Sequence, residues 1–196
     1  MKNKKISWNK YYLGIAREVA RKSKCFRVKI GAVIVRDNQI ISTGYVGAPR
    51  KTKDCFERGF CLRDKNKIPH GQRYELCRSV HAEQNAIINA ARAGVSLLGG
   101  TMYIWGIDKK QNKLIDAFPC FICKKEVINT DLEKVVCSSK NGKIETFDVE
   151  LWKGEWSRLD KDIIDDKYQY GEPSEVSFRK TTAPLKIEPV EDDPSP

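Results

Sequence analysis

One imidazole and two thiols constrain this chain more than any other feature. His81 stands two residues before Glu83, and Cys120 and Cys123 follow Pro119 with two residues between them. One nitrogen and two sulfurs fill three corners of a tetrahedron, and a fourth corner left for water is what separates a catalytic zinc from a structural one. A fold that uses this set must bring two distant segments together. Both segments read as helix starts, so backbone N–H groups and the positive ends of two helix dipoles face the site and favour thiolate over thiol. Glu83 lies beside the donors without being one of them, a position suited to moving protons between a water and a substrate.

The surrounding pattern alternates helices and strands. Ser7 followed by WNKYYLGIAREVARKSK reads as a capped amphipathic helix, with Trp8, Tyr11, Tyr12, Ile15 and Val19 as the face that packs on a sheet. Ile30 to Val35 and Gln39 to Thr43 read as two strands of a hairpin turned at Asp37-Asn38. Residues 48 to 79 carry no sustained period, and an irregular segment of that length calls for a staple or a function. From Val80 a helix with a small-residue stripe at Ala82, Ala86, Ile87, Ala90 and Ala91 runs to Gly94, followed by a strand from Thr101 to Trp105. Gly106 to Ala117 reads as a polar loop. Pro119 then opens a second helix, CFICKKEVIN, and Lys134 to Ser138 gives another strand. Lys143 to Asp148 and VELWKGEW read as a last strand and a short helix. The alternation implies an α/β domain with helices on both faces of the sheet.

Seven cysteines in a lysine-rich chain whose N-terminus, MKNKKISWNK, leads into no apolar signal core point to reduced thiols and metal ligation rather than disulfides. A cytoplasmic location is the corresponding expectation. No stretch approaches the run of about 20 apolar residues that a membrane span requires. The net charge of +10 is uneven: residues 1 to 80 hold 20 Lys/Arg against 6 Asp/Glu, and the remainder 16 against 20. The basic half suits a phosphate or a nucleic acid, or is simply a solvated lysine surface. Past residue 170 lie five of the eight prolines, and the closing EPVEDDPSP is too polar to order itself. The expected division is a zinc-dependent domain over 1–170 and a Pro-rich acidic tail over 171–196.

His81-Ala82-Glu83 followed by Pro119-Cys120-Phe121-Ile122-Cys123 matches the H-x-E and P-C-x-x-C signature of zinc deaminases. Together with KSKCFRVKIGAVIVRDNQIISTGY, CLRDKNKIPHGQRYELCRSVHAEQNAIINAARAGVSLLGGTMYI and PCFICKKEVIN, it makes residues 7 to 138 resemble the deoxycytidylate deaminase family. The resemblance implies a cytidine deaminase-like three-layer αβα sandwich around a mainly five-stranded mixed sheet. It also implies conversion of dCMP to dUMP and ammonia, a nucleotide substrate, and homo-oligomers. Glu83 would be the catalytic residue, and His81, Cys120 and Cys123 the ligands of a catalytic Zn2+.

The resemblance sets Arg27, Tyr45 and Ala82 near the substrate, and the fork of Arg27 suits a monophosphate, although a surface arginine is the plainer reading. Two departures fall in the same region. The usual Gly-Tyr-Asn-Gly reads Gly44-Tyr45-Val46-Gly47 here, and no aromatic residue follows the KVVCS strand. The resemblance extends to Cys25, Cys55, Cys61 and Cys77, four thiols that would close a second, structural zinc site, with His70 a competing ligand and buried free thiols the alternative. Cys137, inside an apolar strand, reads as a core residue. Other functions compatible with the residues are deamination of cytidine or another cytosine compound, deamination of cytosine in a nucleic acid, and a non-catalytic zinc-stabilised binding module. Nucleic acid is the weaker partner, because no exposed aromatic residues interleave with the lysines.

Overall fold

A computed structural model describes residues 5–69 and 72–156. The domain boundary expected at residue 170, the acidic tail and His70 lie outside the described residues.

The polypeptide forms α1 (Trp8–Ala20), β1 (Val28–Arg36), β2 (Gln39–Tyr45), two short helices α2 (Cys55–Arg58) and α3 (Leu62–Lys65), and a 3-10 turn at Tyr74–Leu76. It continues with α4 (Ala82–Arg92), β3 (Thr101–Asp108), β4 (Lys113–Leu114), α5 (Phe121–Asn129), β5 (Lys134–Ser138), β6 (Ile144–Asp148) and α6 (Val149–Trp156). The strands run in the order β2-β1-β3-β5-β6, with β4 pairing the end of β3. Five strands therefore carry the sheet, and the sixth is a two-residue addition. β3 and β5 are parallel, joined by a crossover through α5, whereas the β1–β2, β1–β3 and β5–β6 pairs are antiparallel. The αβα sandwich with a mixed sheet is thus present as expected. Among the described residues no helix is long and apolar enough to cross a membrane.

Alternation along the strands feeds two cores. Val33, Val35, Tyr103 and Val136 face Tyr12, Leu13 and Ala16 of α1, while Ala32, Ile34, Met102, Ile104 and Val135 face α4, α5 and α6 on the other side. The face α1 buries is rotated from the one its large residues suggest. Tyr12, Leu13, Ala16 and Ala20 are buried, whereas Trp8 and Tyr11 remain 58% and 44% exposed. The cause is close approach to Gly31, where an added Cβ would stand 2.2 Å from the Ala16 carbonyl oxygen. A side chain at residue 31 would collide with the helix backbone there. The hairpin turn forms where expected, with Asp37 and Asn38 both at positive φ, the geometry of a two-residue type I′ turn.

Two strands outrun the sequence expectation. β1 begins at Val28 and β3 continues to Asp108, because Val28 pairs with Asp108 and Lys29 with Ile107, and β4 then folds back on Ile107. Ladder pairing organises polar residues that alternation alone assigns to a loop. The irregular segment 48–79 is likewise punctuated. Asp54 and Glu57 form a reciprocal capping box on α2, and Gly59 ends it in the left-handed conformation.

Candidate active site and metal centre

Helix α4 is fixed to the end of β2 before any metal is considered. Gly47 and Val80 exchange backbone hydrogen bonds of 2.8 and 3.2 Å. Ser42 Oγ donates to the Ala86 carbonyl at 2.6 Å, Asn85 Nδ2 to that of Tyr45 at 2.8 Å, and Asn89 Nδ2 to that of Thr43 at 2.7 Å. His81 occupies the N-cap of α4 and Cys120 the N-cap of α5, neither with a polar cap of its own facing the helix end, and Cys123 sits one turn inside α5.

These local choices bring the three donors together. Cys120 Sγ and Cys123 Sγ lie 3.4 and 3.3 Å from His81 Nδ1, and all three ligand atoms fall within 4.8 Å of one another. Bonds of about 2.0 Å to nitrogen and about 2.3 Å to sulfur around a tetrahedral ion would separate such donors by roughly 3.5–3.8 Å, so the set fits zinc. Hydrogen bonding to Cys123 and, against the cost of burial, to His81 holds the Cys120 thiol down at about 4. Cys123, hydrogen-bonded to that thiolate and buried, is pushed well above the ordinary thiol range. Burial pulls the His81 imidazole down, but the Cys120 thiolate beside it more than compensates and the net shift is upward.

Glu83 is 5% exposed in the first turn of α4 and lines the same cavity of about 150 Å³ as His81, Ala82 and Cys120. Burial pushes its carboxyl up to about 7. A group titrating there can both accept and donate a proton at neutral pH. Val46, buried at 6% exposure, reaches this cavity too, so the apolar residue at that position does face the site.

The remaining expected residues distribute differently. Arg27 borders the cavity, but its guanidinium is engaged elsewhere: Nε donates to Asp64 Oδ1 at 2.8 Å, and the terminal nitrogens donate to the carbonyls of Ile68 at 2.7 Å and Pro69 at 3.4 Å. It braces the segment after α3 against β1. Tyr45 is 42% exposed and borders a separate polar pocket with Lys24, Arg50 and Asn85. Cys25, Cys55, Cys61 and Cys77 all line the His81 cavity. No three of them come within 4.8 Å of one another; among the described residues the only group of three or more donors at that separation is His81, Cys120 and Cys123. Burial raises the Cys25 thiol, and burial with the three neighbouring thiols pushes Cys55 up to about 11. Cys137 is 3% exposed in the core beneath α4 and α5, as its strand context implies.

Sequence reasoning missed the link between the two ligand-bearing helices. Gln84 Oε1 accepts from the His81 backbone N–H at 3.1 Å, and Gln84 Nε2 donates to Glu126 Oε1 on α5 at 2.7 Å. Its position three residues after the N-cap is the capping-box signal that could have marked Gln84; nothing local marks Glu126. Glu126→Ala is expected to weaken zinc retention on the order of ten-fold, read as a faster loss of metal to a competing chelator with the secondary structure unchanged. Unaltered retention would show that the clamp has no part in holding the donors.

Residues 6–139 match the family model described as the cytidine and deoxycytidylate deaminase zinc-binding region. The deoxycytidylate deaminase of Mycobacterium phage D29 is 34% identical over 134 residues, covering 66% of this chain and 92% of that protein. That of Schizosaccharomyces pombe is 32% identical over 130 residues, again 66% of this chain but 36% of the relative, and the Saccharomyces cerevisiae deoxycytidylate deaminase is matched over 38% of its length. The chain thus spans little more than a third of those two yeast proteins. Among solved structures, dCMP deaminase from the cyanophage S-TIM5, in complex with dCMP and dUMP, superposes with a TM-score of 0.50 at 21% identity, covering 70% of this chain and 85% of that one.

Proposed function

Because the chain belongs to the cytidine and deoxycytidylate deaminase family, we propose that it is a zinc-dependent hydrolytic deaminase acting on dCMP. The observation that carries this reading is a buried carboxyl, Glu83, in one small cavity with three converging metal donors. His81, Cys120 and Cys123 would hold the ion. Zinc with three protein ligands lowers the pKa of water at its open position toward neutrality. Glu83 takes one proton of the attacking water and passes it to ring nitrogen N3 as oxygen joins C4, then takes the remaining proton from the new C4 hydroxyl and delivers it to the departing amine. The C4–N bond breaks and the carbonyl forms, so dCMP and water become dUMP and ammonia. Ala82 and Val46 supply apolar wall around the base.

The enzyme acts in the cytoplasm as a homo-oligomer on a free nucleotide. A second, structural zinc shared by Cys25, Cys55, Cys61 and Cys77 is part of the same proposal, supported by their common cavity wall. Four thiols drawn onto one ion would hold down the segment 48–79. Metal analysis of the zinc-loaded chain is expected to give two zinc ions, falling to one in Cys61→Ser. One ion in both proteins would remove the structural site and leave the catalytic one.

The reaction is tested by scoring ammonia from dCMP, CMP, deoxycytidine, dCTP, cytosine and a short single-stranded DNA. Turnover of dCMP at least ten-fold above deoxycytidine is expected. Preference for another member would overturn the substrate, and ammonia from none would overturn the activity.

A further inference from the structure

The imidazole of His81 turns Nδ1 toward both sulfurs, 3.4 Å from Cys120 Sγ and 3.3 Å from Cys123 Sγ, and among the described residues none bonds its Nε2. A metal-bound histidine is ordinarily oriented by donating its second ring N–H to a carboxylate, a backbone carbonyl or a water, and that partner tunes the hold on the ion. Among the described residues no carboxylate or carbonyl takes that part. What the imidazole meets instead is the ring of Tyr74, in an edge contact with centroids 4.8 Å apart and planes at 82°. Gln84 accepts from the His81 backbone N–H, which fixes the helix end but leaves the ring torsion free.

Tyr74 is itself held in place. It opens the 3-10 turn, which the Cys77 N–H closes on the Tyr74 carbonyl at 2.9 Å. The guanidinium of Arg63 lies against its ring, with Cζ 4.8 Å from the centroid. Arg63 is 4% exposed and donates to the Pro69 carbonyl at 3.0 Å. The same carbonyl accepts from Arg27 at 3.4 Å, and Arg27 stands one residue before β1. An arginine keeps its charge when buried, so its attraction to the phenol ring does not lapse with pH. A chain of contacts thus runs from the start of β1 through Arg27, Pro69, Arg63 and Tyr74 to the imidazole. Aromatic rings in edge contact favour one mutual orientation, and a ring turned away from it points its nitrogen off the ion.

We infer that Tyr74 is the positioning residue of His81: its ring, backed by Arg63, holds the imidazole in the orientation in which Nδ1 meets the ion, a task usually given to an acceptor at the second nitrogen. This rests on the reading of His81 as a ligand of the catalytic metal. The ring carries the effect and the hydroxyl does not. Part of the irregular segment 48–79 thereby orients a ligand that lies outside it.

The test compares Tyr74→Leu with Tyr74→Phe in the full chain. Zinc affinity is read by competition with a chelator, and the geometry of the centre by visible absorption of the cobalt-loaded chain, the bands that Cys120→Ser abolishes being those of the His81 centre. Tyr74→Leu is expected to hold that ion on the order of ten-fold more weakly and to shift those bands, and Tyr74→Phe, which keeps the ring, to restore both. With dCMP the loss in Tyr74→Leu is expected to fall on kcat more than on KM. Far-UV circular dichroism equal to wild type accompanies each comparison, and Tyr74→Met replaces Tyr74→Leu if that variant does not fold. Wild-type affinity and bands in Tyr74→Leu overturn the inference. So does a Phe variant as impaired as the Leu one, or a raised KM with the bands unmoved, which would make Tyr74 a substrate contact. Bands that move in Tyr74→Leu of a chain whose wild type releases no ammonia from dCMP keep the positioning role and refute the reaction. A wild-type chain with no cobalt band that depends on Cys120 refutes the metal centre, and the inference with it.

Discussion

Glu83→Gln is expected to bind zinc as the wild-type chain does and to release ammonia on the order of a thousand-fold more slowly. The amide fills the same volume at the start of α4 and leaves His81, Cys120 and Cys123 untouched, so the metal donors still converge. What disappears is, among the described residues, the only carboxyl lining the cavity that is not already held by another group, since Asp116 is committed to Lys140. A proton that cannot leave the water raises the barrier to attack, and one that cannot reach the amine raises the barrier to ammonia loss. Both steps suffer, so the loss falls on kcat rather than on KM. Steady-state kinetics with metal analysis on the same preparation check this. A variant that keeps zinc and turns over within a few-fold of wild type would remove Glu83 from the chemistry.

Gly44→Ala carries the second large expected effect, on the fold that positions the site. A Cβ at residue 44 would stand 2.3 Å from the Ala82 carbonyl oxygen and 2.3 Å from the Ala86 amide nitrogen, both backbone atoms of α4. No rotamer change relieves such a clash, and the helix must lift from β2. Lifting it breaks the short bonds from Ser42, Asn85 and Asn89 and displaces His81 from the two sulfurs. A loss of about 3 kcal/mol or more is expected, roughly 6–12 °C in Tm for a chain of this size, with weakened zinc retention. Gly14→Ala is the contrast. It lies in the interior of α1 with nothing within 4 Å of its would-be Cβ, and the substitution is expected to stabilise by ~0.5–1 kcal/mol. Thermal melts of the two variants side by side measure the difference; equal melting points would show that the β2–α4 contact is not tight.

What the sequence disclosed follows how local each cause is. Ser7, the Asp37-Asn38 turn and the two helix starts at His81 and Cys120 are specified by neighbouring residues, and the structure has them where the pattern predicts. The metal donors were readable because their spacing is itself the chemistry. Features that depend on a distant partner were not. The extension of β3 through Asp108 needs Val28 opposite it, and the buried face of α1 is chosen by Gly31 rather than by the aromatic residues of its own stripe. Arg27 carried the sequence signal for a phosphate ligand, yet Asp64 from a segment without periodicity claims it. The four remaining cysteines share a cavity wall, a convergence that their spacing in the chain does not encode.

The central claim is that a metal held by His81, Cys120 and Cys123 activates the water that attacks dCMP. Ammonia release from dCMP, measured on the full chain after stripping with a chelator and again during stoichiometric return of zinc, tests it most directly. The account predicts that release stops on stripping and recovers in proportion to the zinc restored. Release that continues undiminished in the stripped chain, or none from a chain fully reloaded with zinc, would contradict it.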